Sequence, residues 1–432
     1  MKKIFLITAL LSVFVPVSLF AQTRLNVQGA GRLYPIALPQ LCIKGGQEVV
    51  AREIPAAMAK DLKLSGYFEI LNPNSFIETP GKCDGPDGFA YSDWSVIGVE
   101  GLVRGVVEAN GSNVRVSLFL HDVQQRRPVL GKEYVGEISQ VRQMAHKFAN
   151  EIMKFFTGEM GSFGSQIVFS GRVGRFKELF IMDMDGSNVR QLTNDRGLAI
   201  SASWAPNGSE ILYTTYRDRV PEVYALNPVN RRIQRLTHSS VLEIGAVYTP
   251  DGRNFAVSRS VGRESDIVIM DRGGNILRRL TNGSRAIDVS PSYSPDGRQI
   301  AFCSDRAGSP QIYIMNSDGS NVRRISYVTS SYCTSPSWSP KGDKIAYVCR
   351  ADGMFQVFVS DISGMNALQL TSYGDNEDPD WSPDGRYIVF ASTFGRKANF
   401  NIAIMKNDGG NITQLTYGHV SDTEPAWGPV LQ

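Results

Sequence analysis

The sequence offers few side chains in the patterns that enzymatic reactions need. No G-x-S-x-G elbow presents a nucleophilic serine, no H-E-x-x-H pairs two histidines on one helix face, and no phosphate loop is present. The four histidines, His121, His146, His238 and His419, are scattered, and none of the five cysteines sits in a C-x-x-C pair, so zinc-ligand spacing is missing. Asp183-Met184-Asp185-Gly186-Ser187-Asn188 looks like the start of a calcium loop, but the later bidentate Glu is absent at the required spacing. The same place is filled elsewhere by Asn316-Ser317-Asp318-Gly319 and Lys406-Asn407-Asp408-Gly409, residues that suit turns directly. The Ser-Pro-Asp-Gly phrases lack the downstream Trp of a sialidase Asp box. No catalytic residue, metal or cofactor is expected.

What remains is a surface, and a repeat must position it. Ser203-Trp204-Ala205-Pro206-Asn207-Gly208 returns as Val247-Tyr248-Thr249-Pro250-Asp251-Gly252, then in the segments around Pro295, Pro340 and Pro383, and finally as Ala426-Trp427-Gly428-Pro429. Successive prolines are 44, 45, 45, 43 and 46 residues apart. A second phrase, Leu192-Thr193, Leu236-Thr237, Leu280-Thr281, Ile325-Ser326, Leu370-Thr371 and Leu415-Thr416, keeps the same period. Each unit reads as four short strands joined by Asp-Gly turns, which is the pattern of a β-propeller blade. Six blades are expected over 165–432. The first unit, from Gln166, lacks its own Trp-x-Pro strand, and Pro425–Pro429 at the other end of the chain supplies it. That exchange closes the ring and removes exposed sheet edges.

Before the repeat lies a different unit. Residues 1–21 read as a cleaved secretory leader: Lys2-Lys3, an apolar run from Ile4 to Phe20, and small Ala21 before polar residues. With Lys2 and Lys3 gone, 43 basic residues face 42 acidic ones, so nothing draws the chain to nucleic acid or anionic lipid in general. No other stretch is apolar enough to span a membrane, and a soluble exported monomer is expected. Export permits disulfides; Cys42 and Cys83 share the N-terminal third, while Cys303, Cys333 and Cys349 lie far away, and an odd total leaves at least one thiol unpaired in a monomer. Residues 22–160 read as a small α/β domain with a flexible arm over 22–33. Its elements are a helix over 55–65 with Pro55 in its first turn, a hairpin around Asn110-Gly111, and a helix stripe of Val141, Met144, Ala145, Phe148, Ile152 and Phe155 stopped by Gly158.

The loops that precede the Trp-x-Pro strands all emerge at one mouth of the propeller channel. They carry Arg196, Glu243, Arg285, Asp288, Tyr332, Asp375, Glu377, Asp378, Asp422 and Glu424. A ring of mixed charge and aromatics on one rigid face is a docking surface in the making, and acidic loops favour a basic partner. The alternative is an exported propeller enzyme acting on a peptide or glycan in the channel, which requires a titratable cluster there.

The layout resembles the TolB family of periplasmic propeller proteins of the Tol–Pal envelope system. The residues that carry the likeness are Asp61-Leu62-Lys63-Leu64-Ser65-Gly66-Tyr67-Phe68, Trp94-Ser95-Val96-Ile97-Gly98-Val99-Glu100, Phe155-Phe156-Thr157-Gly158 and the two propeller phrases. The resemblance implies a non-enzymatic periplasmic role. It implies that the ten loop residues belong to a face that docks the peptidoglycan-associated lipoprotein Pal. It further implies that the arm Gln22-Thr23-Arg24-Leu25-Asn26-Val27-Gln28 is offered to TolA, an inner-membrane-anchored partner. The system supports outer-membrane integrity and constriction at cell division, and colicins exploit it for import.

Overall fold

The computed structural model describes residues 32–45, 48–77, 88–282, 285–395, 399–417 and 421–430. The leader, the arm Gln22–Gln28 and Cys83, and with it the Cys42–Cys83 pairing, lie outside the described residues.

Six four-stranded antiparallel sheets follow a mixed N-terminal sheet. Five blades use consecutive strands, with inner strands Ala199–Trp204, Leu242–Tyr248, Asp288–Tyr293, Cys333–Trp338 and Asn376–Trp381. The sixth takes its inner strand, Asp422–Trp427, from the C-terminus and pairs it with Gln166–Val173, so the ends of the repeat close the ring as its circular offset required.

Both repeating phrases have a structural job. In every blade the Thr or Ser of the second phrase accepts a hydrogen bond from the third strand. The donors are the amides of Leu179, Val223, Ile267, Ile312, Val357 and Ile402, at 2.9–3.0 Å. This seals the outer strand onto its blade where the ladder ends. The aromatic phrase ties one blade to another. Trp204 Nε1 donates to the Ala426 carbonyl at 3.2 Å and Trp381 Nε1 to the Ser337 carbonyl at 3.0 Å. Asp380 accepts from Ser337 Oγ and the Trp427 amide, both at 2.7 Å.

The N-terminal domain pairs Tyr34–Ala37 in parallel with Phe68–Ile70 and with the start of Gly101–Asn110; Asn113–Asp122 and Arg127–Glu137 continue it antiparallel. Helices Glu48–Ser65 and Val141–Thr157 pack against it and against each other. Gly158, at φ 82°, caps the second helix in the left-handed region that glycine enters freely. The first helix starts seven residues before the expected Pro55. Proline lacks the N–H that would bond the Ala51 carbonyl. That carbonyl instead accepts from the Leu41 amide at 3.0 Å, so the helix runs through Pro55 without an orphaned acceptor.

One apolar core joins the two parts. Phe148, Ile152 and Phe163 share a buried cluster with Ile167, Met182, Tyr387, Ile404 and Trp427 of the propeller. Polar contacts rim it: Arg142 reaches Asp183 at 3.2 Å and Asp185 at 2.6 Å, and Glu159 meets Lys341 at 3.0 Å and Arg386 at 3.4 Å. The calcium-like Asp183–Asn188 segment is thus a turn that anchors Arg142. Within the interface His146 Nδ1 bonds buried Asp61 at 2.6 Å.

Trp427 stands where closure, inter-blade ties and this shared core meet. It is 6% exposed, stacks on Tyr387 and donates through Nε1 to Ser165 Oγ at 2.8 Å. Trp427→Ala is expected to cost about 3–5 kcal/mol, a large-aromatic deletion. Urea unfolding followed by circular dichroism checks this, with the propeller and the N-terminal domain losing stability together.

Candidate functional site

The inner strands run from the connecting loops to the Pro-Asp-Gly turns. Glu159 meets Lys341 and Arg386 of those turns, and Arg142 meets the turn at Asp183–Asp185 on the same side. The N-terminal domain therefore sits on the turn side, against three neighbouring blades, and the mouth reached by the connecting loops is an open face.

Midway along each inner strand the ladder slips by a bulge, at Ile200/Ser203, Ile244/Val247, Val289/Ser292, Thr334/Ser337, Glu377/Asp380 and Thr423/Ala426. A bulge re-aims side chains and ends local pairing. Its first turned residue is left-handed in all six blades: Ser201, Gly245, Ser290, Ser335, Asp378 and Glu424. Five of them are not glycine and hold a conformation that costs of order 1–3 kcal/mol each. Proline follows four of them, at Pro291, Pro336, Pro379 and Pro425. It is tolerated because the inner strand is an edge strand, and an amide facing the channel has no ladder partner to lose. All six line a channel of about 730 Å³ together with Trp204, Tyr248, Tyr293 and Trp427.

Two adjacent blades place carboxylates in that ring. Asp378 accepts from Ser335 Oγ at 3.1 Å. Glu424 accepts from the Ser201 amide at 2.6 Å and pairs with Lys177 at 3.3 Å. Burial, then the neighbouring Glu424 and Glu377 charges, push the Asp378 carboxyl up to about 7. Burial, then Asp375, raises Glu377, and burial raises Asp380. The sequence shows this ring as x-Pro-x-aromatic: Ser290-Pro291-Ser292-Tyr293, Ser335-Pro336-Ser337-Trp338, Asp378-Pro379-Asp380-Trp381 and Glu424-Pro425-Ala426-Trp427.

The other expected face residues divide. Arg196, Arg285 and Tyr332 are exposed on the open face, and Glu377 is half-buried at the mouth. Asp375 is half-buried, and its carboxylate accepts from the Phe355 amide at 3.0 Å. Glu243, Asp288 and Asp422 are corrections. Each is buried near the start of an inner strand, facing its own blade and not a partner. Arg259 binds Glu243 at 3.2 Å, and Arg306 holds both Asp288 oxygens at 3.1 Å. Burial pushes the Asp422 carboxyl up to about 6. Glu243 pairs across the ladder with Arg259, and the corresponding pair two blades on is the Cys333–Cys349 disulfide. An ion pair and a disulfide thus clamp equivalent places, while Cys303 stays a buried free thiol beneath Cys333.

Sequence reasoning missed three residues of this face. Tyr327, Tyr373 and Tyr417 are 57%, 71% and 80% exposed. Their signal was available: an aromatic stands one or two residues after the second repeating phrase in these three units.

The fold and site define a two-part protein, a closed six-bladed propeller with an α/β domain seated on its turn side and its connecting loops free on the other. Residues 153–431 match the TolB beta propeller domain family and residues 24–129 the TolB amino-terminal domain family. The chain belongs to the TolB family. It is 34% identical over 207 residues to the Tol-Pal system protein TolB of Syntrophotalea carbinolica, covering 46% of this chain and 48% of that one. It is 36% identical over 210 residues to the Geobacter metallireducens protein of the same name, covering 48% of each. The matched stretches span about half the length of these curated relatives. The crystal structure of TolB from Acinetobacter baumannii superposes with a TM-score of 0.77 at 26% identity, over 92% of this chain and 97% of that one. Hydrazine synthase of Kuenenia stuttgartiensis shares the fold alone, at 16% identity and a TM-score of 0.51 over 62% of this chain and 47% of that one.

The raised Asp378 carboxyl has a consequence for stability. Unfolded, it titrates near ~4; folded, it titrates near about 7. Between these values the unfolded chain ionises and the folded chain does not, so stability falls as pH rises through that window, and the full cost stands above it. Asp378→Asn removes that cost while keeping a residue that accepts left-handed backbone. Thermal melts should show a gain of about 4 °C or more at pH 8 that shrinks steadily toward pH 4.

Proposed function

We propose that this chain is a non-enzymatic periplasmic scaffold of the Tol–Pal system. It docks the Pal lipoprotein on its open face and presents its N-terminal arm to TolA, and so supports outer-membrane integrity and constriction at division. Family membership supports the place in the system. The observation that carries the docking reading is the asymmetry of the propeller: the N-terminal domain is seated against the turn side of three neighbouring blades, and the opposite side presents exposed loops around recessed carboxylates. The channel holds the titratable carboxylates that the enzyme alternative requires, but Asp380, Asp378 and Glu424 are each held as acceptors of structural hydrogen bonds, which favours a scaffold. Among the described residues no helix is long and apolar enough to cross a membrane, which agrees with a chain that works in the periplasm once its leader is cleaved.

A groove of about 990 Å³ supports a role for the arm. It runs between the domains along the edge strand Phe68–Ile70, lined by Leu64, Leu71, Ile412 and Leu415, and Leu33, where the described chain begins, is part of its wall. The described chain starts at Arg32, beside this groove, and the alternating Leu25 and Val27 of the arm suit strand addition, either to this edge or to a partner's sheet. Pal docking then sets whether the arm packs on its own groove or swings free.

Calorimetry of the mature chain with the soluble domain of Pal from the same cell tests the first part. Binding is expected to weaken with salt and to fall at least tenfold when Glu377→Gln and Asp378→Asn are combined; no heat at high micromolar protein removes the Pal assignment. Hydrogen exchange of residues 22–31 with and without that domain tests the second part. Protection is expected to differ between the two states, and identical protection sinks the switch.

A further inference from the structure

The open face is not uniform around the channel. Tyr327 and Tyr332 lie on the loop entering the inner strand Cys333–Trp338, Tyr373 on the next loop and Tyr417 on the one after. These four rings occupy three consecutive loops and remain 40–80% exposed. They are held in place from below. Tyr327 Oη donates to the Arg324 carbonyl at 2.8 Å, and Tyr417 Oη to the Gln414 carbonyl at 2.9 Å. Tyr332 sits edge-on to Phe355 at 5.7 Å, and Tyr373 leans on Gly395, where any β-carbon would collide with its ring. With the Tyr327 and Tyr417 hydroxyls tied to the chain's own backbone, the outward surface of these two rings is apolar. Preorganised tyrosines lose little conformational freedom on binding and are typical anchors of interfaces.

The other half of the same face carries arginines. Arg175, Arg196, Arg219, Arg263 and Arg285 are exposed on the loops and turns of the closing blade and the two blades that follow it. None of these five makes an ion pair among the described residues. Arg196, Arg219 and Arg285 stand on left-handed backbone, at φ 51°, 74° and 51°, which places a charged side chain where glycine or asparagine is the relaxed choice. Among the described residues Arg350 is the exposed arginine on the tyrosine half; Arg396 and Lys397 of the same half lie outside them.

We propose that the open face is divided in function, the tyrosine half holding the docked protein and the arginine half steering it into one orientation. This rests on the docking reading above and deepens it. The partner it fits has an apolar patch with a basic group beside it, which meets the tyrosines and the recessed carboxylates, and an acidic patch about a channel's width away, which meets the arginines. Exposed guanidinium groups act at a distance on encounter and are screened by salt, whereas buried ring contacts act on escape. One protein thereby finds one azimuth on a ring whose backbone is nearly six-fold symmetric.

The test is stopped-flow or surface-plasmon kinetics with the soluble Pal domain at 50 and 300 mM salt. Combined Tyr327→Ala, Tyr373→Ala and Tyr417→Ala is expected to raise the dissociation rate tenfold or more and leave the salt dependence of association unchanged. Combined Arg219→Gln, Arg263→Gln and Arg285→Gln is expected to slow association three- to tenfold at low salt, flatten its salt dependence and leave dissociation unchanged. All six positions are surface ones, and circular dichroism melts matching the parent show that folding is intact. Parent-like kinetics in either variant, or the same change in both, overturns the division while leaving docking in place. No binding by the unaltered chain overturns both.

Discussion

The pairing of Asp422–Trp427 with Gln166–Val173 is the constraint on which the other arrangements depend. A propeller blade has one free edge at the channel, and only a closed ring brings six such edges to a common axis. The last inner strand also carries Glu424 into the ring of bulges and Trp427 into the core shared with the N-terminal domain. Closure, channel chemistry and domain docking thus all use a single six-residue strand. The ring can close on its own end only because the chain enters it one strand late, at Gln166, straight from the helix domain.

The channel concentrates features that work against stability. Six bulges interrupt the inner ladders, five non-glycine residues hold left-handed backbone, and Asp378 stays close enough to Glu424 and Glu377 that its ionised form is penalised. Each cost is offset locally. Ser335 and Ser201 donate to the carboxylates, Lys177 neutralises Glu424, and Asp380 turns a buried charge into a two-armed tie between neighbouring strands. Strain of this kind persists where the surroundings over-determine it, and a rigid annulus does that well.

The repeat made the propeller and its closure readable, because Trp-x-Pro and Leu-Thr carry side-chain ties that every blade needs. Three acidic residues were misjudged for an equally physical reason. Glu243 and Asp288 lie next to loops, but a strand's first residues alternate between channel and blade, and loop position does not fix that phase. Their partners sit 16 and 18 residues on: Arg259 on the second strand, where the aligned Cys349 faces Cys333, and Arg306 in the turn just beyond it. Aligning the units on those pairs would have marked them as internal clamps. The groove between the domains left no sequence signal, because its walls, Leu64 and Ile412 among them, come from segments that share no period. The tyrosines were legible but unread, since a residue that varies among units draws less notice than one that repeats.

One element touches both faces. Strand Phe176–Asp183 carries Lys177, paired with Glu424 at the channel, and ends at Asp183, paired with Arg142 of the N-terminal domain. Its length, roughly 23 Å at the rise of a β-strand, is the thickness of the propeller at that point. The turn that follows brings Asp185 to Arg142 and to Lys60, and Lys60 and Asp185 both line the groove between the domains. The strand is packed on both sides, and its far end is the charged turn at Asp183–Ser187. The ion pairs at that turn are those of Arg142 and Lys60, and the Lys60–Asp185 pair lines the groove. On the docking reading proposed above, this strand is the covalent path from the open face to the groove, and the apolar core shared by the two parts resists rotation of the N-terminal domain.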